Sequence, residues 1–226
     1  MSATSPESLS KRSFVYRQLA GASFRDIAGG AMATGVAEGN NNRSQAEQSA
    51  LLDLSVLPRT GFRGLTAAAH LQAAGLPIPA RPNQASVTGS GELVLRLSQK
   101  EFWLLGALSD SGAGVDALNQ RGLPAADCYS LYCQDSHAWL ALTGAHLPAT
   151  LAKVCGVDLR EASFPLGSIA QTSVARVNVV IVHHQLAGVP CFSILCDSAA
   201  AEYLWESLLD AMGEFGGEVI GSNALL

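Results

Sequence analysis

The sequence predicts an α+β fold in which two strand–helix–strand halves form a mostly antiparallel sheet. Hydrophobic residues make up 48% of the 226-residue chain, which is enough for a sizeable core. Several short runs alternate apolar and polar residues, as strands with one buried face do. The sequence also contains a weak internal repeat. The first copy consists of residues 53–55, a strand, Gly64 and a helix ending at Gly75, and the second consists of residues 135–137, a strand, Gly144 and a helix ending at Gly156.

The elements follow from this patterning. Strand-like runs are predicted at residues 54–63, 92–97, 128–133, 137–143, 173–185 and 189–196, with a further apolar run at 101–108. The last two strands form a hairpin around residues 186–188. Three helices are predicted: 66–74 with Thr66 as its cap and Gly75 as its stop, 149–155 closed by Gly156, and a last helix from a Ser198 cap to Gly216 and Gly217.

Composition divides the chain into three parts. Residues 1–48 are poor in large apolar residues and rich in glycine, and they include three consecutive asparagines, so they are predicted to form a flexible or docking N-terminal arm. Residues 49–217 have the patterning of one α+β domain, and residues 218–226 are predicted to form a C-terminal tail.

Charge and hydropathy argue against several classes of function. The net charge is −5 and no run of Lys or Arg occurs, which argues against a surface for nucleic acid or anionic membranes. No uninterrupted apolar stretch reaches the ~18 residues of a membrane-spanning helix. The N-terminus lacks the pattern of a secretory signal, although residues 10–25 are also compatible with an organelle transit peptide. Five cysteines, an odd number, favour a reducing compartment, so we expect a cytoplasmic protein.

Motifs that carry chemistry are scarce. The sequence has no phosphate-binding loop, no complete dinucleotide fingerprint and no G-x-S-x-G nucleophile elbow. Cys128 and Cys133, like Cys191 and Cys196, are five residues apart on predicted strands, so each pair points to opposite faces and cannot readily share a metal or a disulfide. We therefore predict no catalytic residue and no metal ligand, and no cofactor-binding residue can be named.

Other polar residues are expected to be structural. His183 and His184 should diverge, with one exposed and one packed. Residues 135–137 contain the side chains of a catalytic triad, but consecutive residues cannot form the relay, so a turn at the entry to a strand is expected. Tyr203 and Trp205 on the last helix are expected in the core.

The C-terminal half contains a long distinctive segment, DSHAWLALTGAHLPATLAKVCGVDLREASFPLGSIAQTSVARVNVVI at residues 135–181, followed by AEYLW at 201–205 and LLDA at 208–211. These segments give the chain a resemblance to the gamma subunit of heterotetrameric sarcosine oxidase. Its most specific motifs are LAK with Cys155 and VDL, then FPxG, then AQTxxAR. Weaker similarity, at DLS (residues 53–55) and at ELVLRL (residues 92–97), extends the resemblance over roughly residues 51–211.

The resemblance implies a compact T-protein-like folate-binding fold and membership of a heterotetramer. In that complex the alpha, beta and delta partner subunits carry FAD, FMN, NAD, zinc and tetrahydrofolate, and sarcosine is converted to glycine with the one-carbon unit passed to tetrahydrofolate. No cofactor is implied for this chain, which would be a non-catalytic structural subunit. The alternatives are a stand-alone tetrahydrofolate-dependent aminomethyl- or methyltransferase, the gamma subunit of a related N-methyl amine oxidase, and the folate-binding iron–sulfur maintenance protein, whose K-G-C-Y-x-G-Q motif is absent.

Two further expectations concern individual segments. Residues 164–167, Phe-Pro-x-Gly, should form a turn that leads Arg176 into a strand, where its guanidinium would pair with a carboxylate or with carbonyls. Residues 14–27 carry five spaced large apolar side chains with too little surrounding sequence for a core of their own. We therefore expect this segment to dock on a partner subunit, the alternative being that it folds back onto its own sheet.

Overall fold

The computed structural model describes residues 4–36, 41–123 and 126–226. Within these ranges the strands are β1 (Ser23–Ile27), β2 (Gly30–Gly35), β3 (Ser49–Asp53), β4 (Arg59–Arg63), β5 (Gln84–Val87), β6 (Leu93–Arg96), β7 (Glu101–Leu105), β8 (Tyr129–Leu131), β9 (His137–Gly144), β10 (Ile169–Val174), β11 (Val177–Leu186), β12 (Val189–Asp197) and β13 (Glu218–Val219). The α-helices are α1 (Arg43–Gln48), α2 (Ala67–Ala73), α3 (Ala113–Gln120), α4 (Cys133–Ser136), α5 (Leu147–Ala152) and α6 (Ala201–Met212).

Two sheets form the body of the molecule. The larger has the strand order β10-β11-β12-β9-β3-β13, and the smaller has the order β5-β6-β7-β4-β8. All pairs are antiparallel except β13 with β3, and β1 with β2 forms a separate hairpin. The predicted α+β class with mostly antiparallel sheets is confirmed.

Three apolar layers hold the sheets in place. Leu52, Val182 and Leu195 of the larger sheet pack against Leu95 and Trp103 of the smaller one, and this layer fills the space between the sheets. The outer face of the larger sheet is covered by α5, α6 and the 3₁₀ turn Tyr16–Leu19, and that of the smaller sheet by α2 and α3. The resulting order of layers is helix, sheet, sheet, helix, and each sheet has two buried faces.

The internal repeat corresponds to equivalent structure in the two sheets. β4, Gly64 and α2 form one copy, and β9, Gly144 and α5 form the other. Gly64 has φ +148° and Gly144 φ +112°. A Cβ at Gly64 would lie 1.8 Å from a carbonyl oxygen, and one at Gly144 would lie 2.4 Å from another. Both turns therefore require glycine, which explains why this residue recurs at the same place in the two copies.

Several predicted boundaries are wrong. The run 54–63 is a strand only from Arg59, because residues 49–53 and 59–63 belong to different sheets and the chain crosses between them. The run 173–185 contains a hairpin turn at Ala175 and Arg176, which have φ values of +48° and +68°. Cys133 begins α4 instead of ending a strand, and Asp197 rather than Ser198 caps the last helical segment, accepting a hydrogen bond from Ala199 N.

The N-terminal segment folds back onto the domain. Val15, Leu19 and Ile27 are buried, and the hydroxyl of Ser13 hydrogen-bonds the buried carboxylate of Asp53. The expectation that residues 14–27 lack a core of their own is wrong, because the outer face of the larger sheet supplies one. Residues 37–40 of the predicted arm, and 1–3, lie outside the described residues.

The C-terminal residues are also part of the core rather than a tail. β13 adds a parallel strand beside β3, and Ile220 and Leu225 are buried between the sheets. The predicted boundary at 218 fails because only two residues form the strand, too few for a periodic signal. No helix in the described part of the chain has the length and apolar content needed to cross a bilayer.

Candidate functional site

The space between the two sheets opens into a cavity at each end, and we call this space the seam. At the end where β9 begins, a groove of about 350 Å³ is lined by His137, Gln171, Thr172, Asn178, Val179, Val180 and Leu195. At the other end, the β11–β12 hairpin and the C-terminus border a cavity of about 250 Å³ that includes Trp139, His184 and Leu226. Trp139 and Leu195 are neighbours across β9 and β12, so the cavities lie on either side of this pair.

A buried hydrogen-bonded chain connects three neighbouring strands of the larger sheet, from Trp139 of β9 to Ser193 of β12 and His184 of β11. The indole Nε1 donates to Ser193 Oγ at 2.8 Å, and Ser193 Oγ lies 2.8 Å from His184 Nε2. Because the carbonyl of Gln185 can only accept, the imidazole proton lies on Nδ1, which donates to Gln185 O at 2.9 Å. Nε2 of the neutral ring then accepts from the Ser193 hydroxyl. Burial lowers the pKa of His184 to about 4, and nearby His183 adds to the effect. The imidazole is therefore neutral, and both of its nitrogens are occupied.

His183 points to the opposite face of the larger sheet. Its ring stacks on that of Phe164, with 6.0 Å between the ring centroids, and packs edge-on against Phe192. Its Nδ1 lies 2.7 Å from Phe164 O. The two histidines diverge as predicted, but both are buried, so the expectation that one is exposed is wrong. A sheet with two covered faces has no exposed side in its centre.

The groove end of the seam contains His137. Its ring packs edge-on against that of Trp103, with 4.8 Å between the ring centroids, and its Nδ1 lies 2.7 Å from the Oγ of neighbouring Ser136. Burial, then the charge of Arg59, lowers the pKa of His137. Residues 135–137 form the end of α4 and the start of β9, as the turn interpretation expected.

Arg59 joins the segments at this end. Its guanidinium donates to the carbonyls of Cys133, Ser55, Gln134 and His137, with a longer contact to Leu57 O, and it is 3% exposed. Burial lowers its pKa to about 10, so the group stays charged at neutral pH. Sequence reasoning missed this residue. Its only signal was an arginine inside the run 54–63 that was predicted to be a strand.

The five cysteines are buried thiols. Cys191 faces the seam, whereas Cys196 faces the helices on the outer side of the larger sheet. Cys133 lies between the two sheets, whereas Cys128 lies under the helices on the outer side of the smaller sheet. The members of each pair are therefore separated, as predicted. Burial raises the pKa of Cys133 and of Cys196 to about 11, and it raises that of Cys191 as well. Such thiols are poor nucleophiles at neutral pH. Among the described residues, no group of three His, Cys, Asp or Glu side chains could hold a metal ion.

The remaining predicted residues divide between core and surface. Trp205 is buried under the larger sheet as expected, whereas Tyr203 is 54% exposed, because the two lie on different faces of α6. Arg176 is exposed at a hairpin turn, so its predicted pairing inside a strand is wrong. The turn at 164–167 is present, with Gly167 at φ +82°.

The seam has the arrangement of a structural centre. Trp139, Ser193, His184 and Arg59 use their polar atoms on partners within the chain. A general base would need a free ring nitrogen near a reacting group. Within the described part of the chain, the one histidine at the seam with an unassigned nitrogen is half-buried His137.

Comparison with known proteins identifies the relatives of this fold. The family model described as GCVT N-terminal domain matches residues 83–226. A chain of heterotetrameric sarcosine oxidase from Corynebacterium sp. U-96, solved in complex with pyrrole 2-carboxylate, superposes with a TM-score of 0.63 at 27% identity, covering 76% of this chain and 90% of that one.

The glycine cleavage system aminomethyltransferase T from Bartonella henselae has a TM-score of 0.68 at 21% identity and shares the fold. The match covers 95% of this chain, which spans only 60% of that protein. No curated protein matches the sequence. The resemblance found in the sequence is confirmed, and the chain belongs to the family of the GCVT N-terminal domain.

Proposed function

We propose that this chain is the gamma-type, non-catalytic subunit of a cytoplasmic, heterotetrameric sarcosine oxidase-like complex. The complex would demethylate sarcosine oxidatively to glycine and pass the one-carbon unit to tetrahydrofolate. The alpha, beta and delta subunits would carry FAD, FMN, NAD, zinc and tetrahydrofolate, and this chain would carry no cofactor.

One observation carries the proposal: the extent of the structural match. The superposition covers 90% of a chain of heterotetrameric sarcosine oxidase, whereas the same fold covers 60% of the aminomethyltransferase. The first protein is thus matched over nearly its whole chain. That protein is an assembly of several subunits, which supports a role in assembly for this chain.

The chemistry of the seam also supports a non-catalytic role. Tetrahydrofolate is a drug-sized ligand, and pockets for such ligands commonly have ~300 to 1,000 Å³. The hairpin-end cavity has about 250 Å³, and the buried polar atoms beside it are already paired within the chain. The groove at the other end has about 350 Å³, but it is bordered by Gln171, whose amide already donates to Asn83 Oδ1 and Leu97 O. The small volume of the hairpin-end cavity and the paired amide of Gln171 support a chain that carries no tetrahydrofolate.

The surface suits a subunit of an assembly. Charged residues make up 15% of the chain, against ~25% in an average soluble domain. Large hydrophobic side chains are exposed around the β8 edge of the smaller sheet, namely Leu65, Leu123, Tyr129 and Tyr132. Tyr132 is 83% exposed. Tyrosine is enriched at protein interfaces, where its ring packs and its hydroxyl stays wet.

The assembly part of the proposal is tested by co-purification. The chain is expressed with an affinity tag together with alpha, beta and delta subunits from the same genome. We expect all four to elute together and the complex to oxidise sarcosine. Elution of the tagged chain alone, with the other three subunits folded, would contradict the proposal.

The non-catalytic part is tested on the free chain. We expect no flavin absorbance after purification and no heat of binding when tetrahydrofolate is titrated into it. Stoichiometric folate binding would favour the aminomethyl- or methyltransferase alternative. A complex that assembles but oxidises a different N-methyl amine would support the related-oxidase alternative.

A further inference from the structure

A cavity of about 560 Å³ lies apart from the seam, between the β5–β6 turn and helices α2 and α3. The smaller sheet separates it from the seam, because α2 and α3 cover the outer face of that sheet. Its walls come from three segments: residues 74–76 after α2, residues 88–92 in the turn, and the side of α3 that carries Gly114, Ala117, Leu118 and Arg121.

The polar centre of this cavity is the carboxylate of Glu92, a residue that is 5% exposed. One oxygen, Oε2, accepts hydrogen bonds from the hydroxyls of Thr88 and Ser90. No described residue donates a hydrogen bond to the other oxygen, Oε1. Burial raises the pKa of Glu92, but the hydrogen bonds from Ser90 and Thr88 outweigh it, and the net shift is downward, so the group is ionised at neutral pH.

Helix α3 leaves space for this carboxylate. A Cβ at Gly114 would lie 2.0 Å from Glu92 Oε1, so any larger residue at this position would displace the carboxylate from where it lies. The Gly114 N–H is already bonded to Asp110 Oδ2. The hydroxyls of Thr88 and Ser90 therefore hold the carboxylate through one oxygen, while the other oxygen keeps its hydrogen-bonding capacity.

Arg121 supplies a charge of opposite sign to the same cavity. Its Nη2 donates to Ala73 O at 3.0 Å, which holds the side chain at the C-terminal end of α2. Arg121 thus lines the cavity with part of its guanidinium still available. Leu76, Ala117 and Leu118 contribute apolar walls to the same space.

We propose that this cavity binds a free aliphatic α-amino acid. The ammonium group would donate to Glu92 Oε1, the carboxylate would accept from Arg121, and the aliphatic side chain would contact Leu76 and Leu118. A simple cation would not use the remaining donors of the Arg121 guanidinium, and a simple anion would face the Glu92 carboxylate. The walls are too apolar for a strongly hydrated side chain.

The test is calorimetric titration of the whole chain with L-leucine and two singly charged analogues. Leucinamide keeps the ammonium group and lacks the carboxylate, and 4-methylpentanoate keeps the carboxylate and lacks the ammonium group. We expect L-leucine to bind at least tenfold more tightly than either analogue. Absence of leucine binding, or equal binding of either analogue, would overturn the proposal.

Variants locate the site. Glu92→Gln and Arg121→Gln should each weaken leucine binding at least tenfold, and Ala117→Leu should do so by filling the cavity without changing a charge. Asp116→Asn, an exposed change on the same helix, is the matched control and should bind as the wild type does. If Glu92→Gln fails to fold, Ala117→Leu and Arg121→Gln decide the matter. Leucine binding unaffected by those two variants would place the ligand elsewhere and overturn the proposal.

Discussion

At the scale of single residues, Arg59 joins segments that are distant in the sequence. Its guanidinium donates to carbonyls of the β3–β4 connection, of α4 and of the start of β9. A sequence can suggest that an arginine beside a strand is buried. It cannot show which carbonyls surround the arginine, because those of Cys133, Gln134 and His137 come from residues 74, 75 and 78 positions away.

Replacing this arginine should strongly destabilise the protein. Arg59→Met keeps most of the volume but leaves several buried carbonyls without donors, and we expect a loss of ~3 kcal/mol or more in the free energy of unfolding. Arg59→Lys should recover only part of it, because one ammonium group cannot match the guanidinium's fork of donors. Urea denaturation measures both. Arg63→Met, at an exposed position on the same strand, is the control and should cost less than ~1 kcal/mol; equal losses at the two positions would contradict this account.

His184 should make stability depend on pH. Its pKa is about 4 in the folded protein and ~6.5 when unfolded, so the unfolded state binds more protons between these values. Stability from this group is fully present above pH 6.5 and falls as the pH drops towards 4. At pH 5 the loss should be about 2 kcal/mol relative to pH 7.

The comparison that isolates His184 uses His184→Gln beside His146→Gln, whose side chain is exposed. His70 and His137 also have lowered pKa values and contribute to the wild-type slope. Between pH 7 and pH 5, we expect the free energy of unfolding to fall less in His184→Gln than in the wild type. In His146→Gln it should fall as much as in the wild type. An unchanged slope in His184→Gln would mean that this histidine is not buried in its neutral form.

At the scale of elements, the sequence predicted strands and helices better than the turns between them. The hairpin at 186–188 was predicted because it contains Gly188, which supplies a positive φ. The hairpin at Ala175 and Arg176 was missed because both residues adopt positive φ without being glycine or asparagine. Strand register and contacts across the sheets hold these two residues in a conformation that their own preferences oppose.

The two hairpins give a paired prediction. Arg176→Gly should raise the free energy of unfolding by roughly 0.5–1 kcal/mol, because glycine accepts positive φ without strain. Gly188→Ala should lower it by ~1 kcal/mol for the same reason. Thermal and urea denaturation measure both changes. Destabilisation by Arg176→Gly would show that the arginine makes a contact that stabilises the fold, as the sequence had suggested.

At the scale of the whole molecule, the N-terminal segment is part of the domain. Sequence composition suggested an arm, since residues 1–48 are poor in large apolar residues. The structure places Val15 and Leu19 under α6 and its neighbours, in a layer that only the complete fold creates. Docking of the outer side of this segment on a partner subunit remains a prediction.

Leu19→Ala tests this packing. Removing a buried leucine side chain should cost ~2–4 kcal/mol of unfolding free energy. Arg17→Ala, an exposed change in the same 3₁₀ turn, should be nearly neutral. If Leu19→Ala leaves the free chain as stable as the wild type but weakens assembly with partner subunits, the segment docks on a partner and is not part of the core of this chain.

The resemblance in sequence identified the family because several short motifs occur in order. The individual motifs have structural functions in this fold: Phe164 stacks on His183, and Gly167 forms a turn with φ +82°. The candidate site could not be predicted in the same way. Trp139, His184 and Ser193 are ordinary residues in their own strands, and only the register of β9, β11 and β12 brings them together.

The central claim is that this chain acts as a non-catalytic member of a four-subunit complex. Native mass spectrometry of the chain co-expressed with alpha, beta and delta subunits tests it most directly. We expect a single species whose mass equals one copy of each subunit plus the cofactors of the partners, and a dissociated gamma-type chain with the mass of its polypeptide alone. A complex of the other three subunits that forms and oxidises sarcosine without this chain, or a dissociated chain that retains a bound cofactor, would contradict the account.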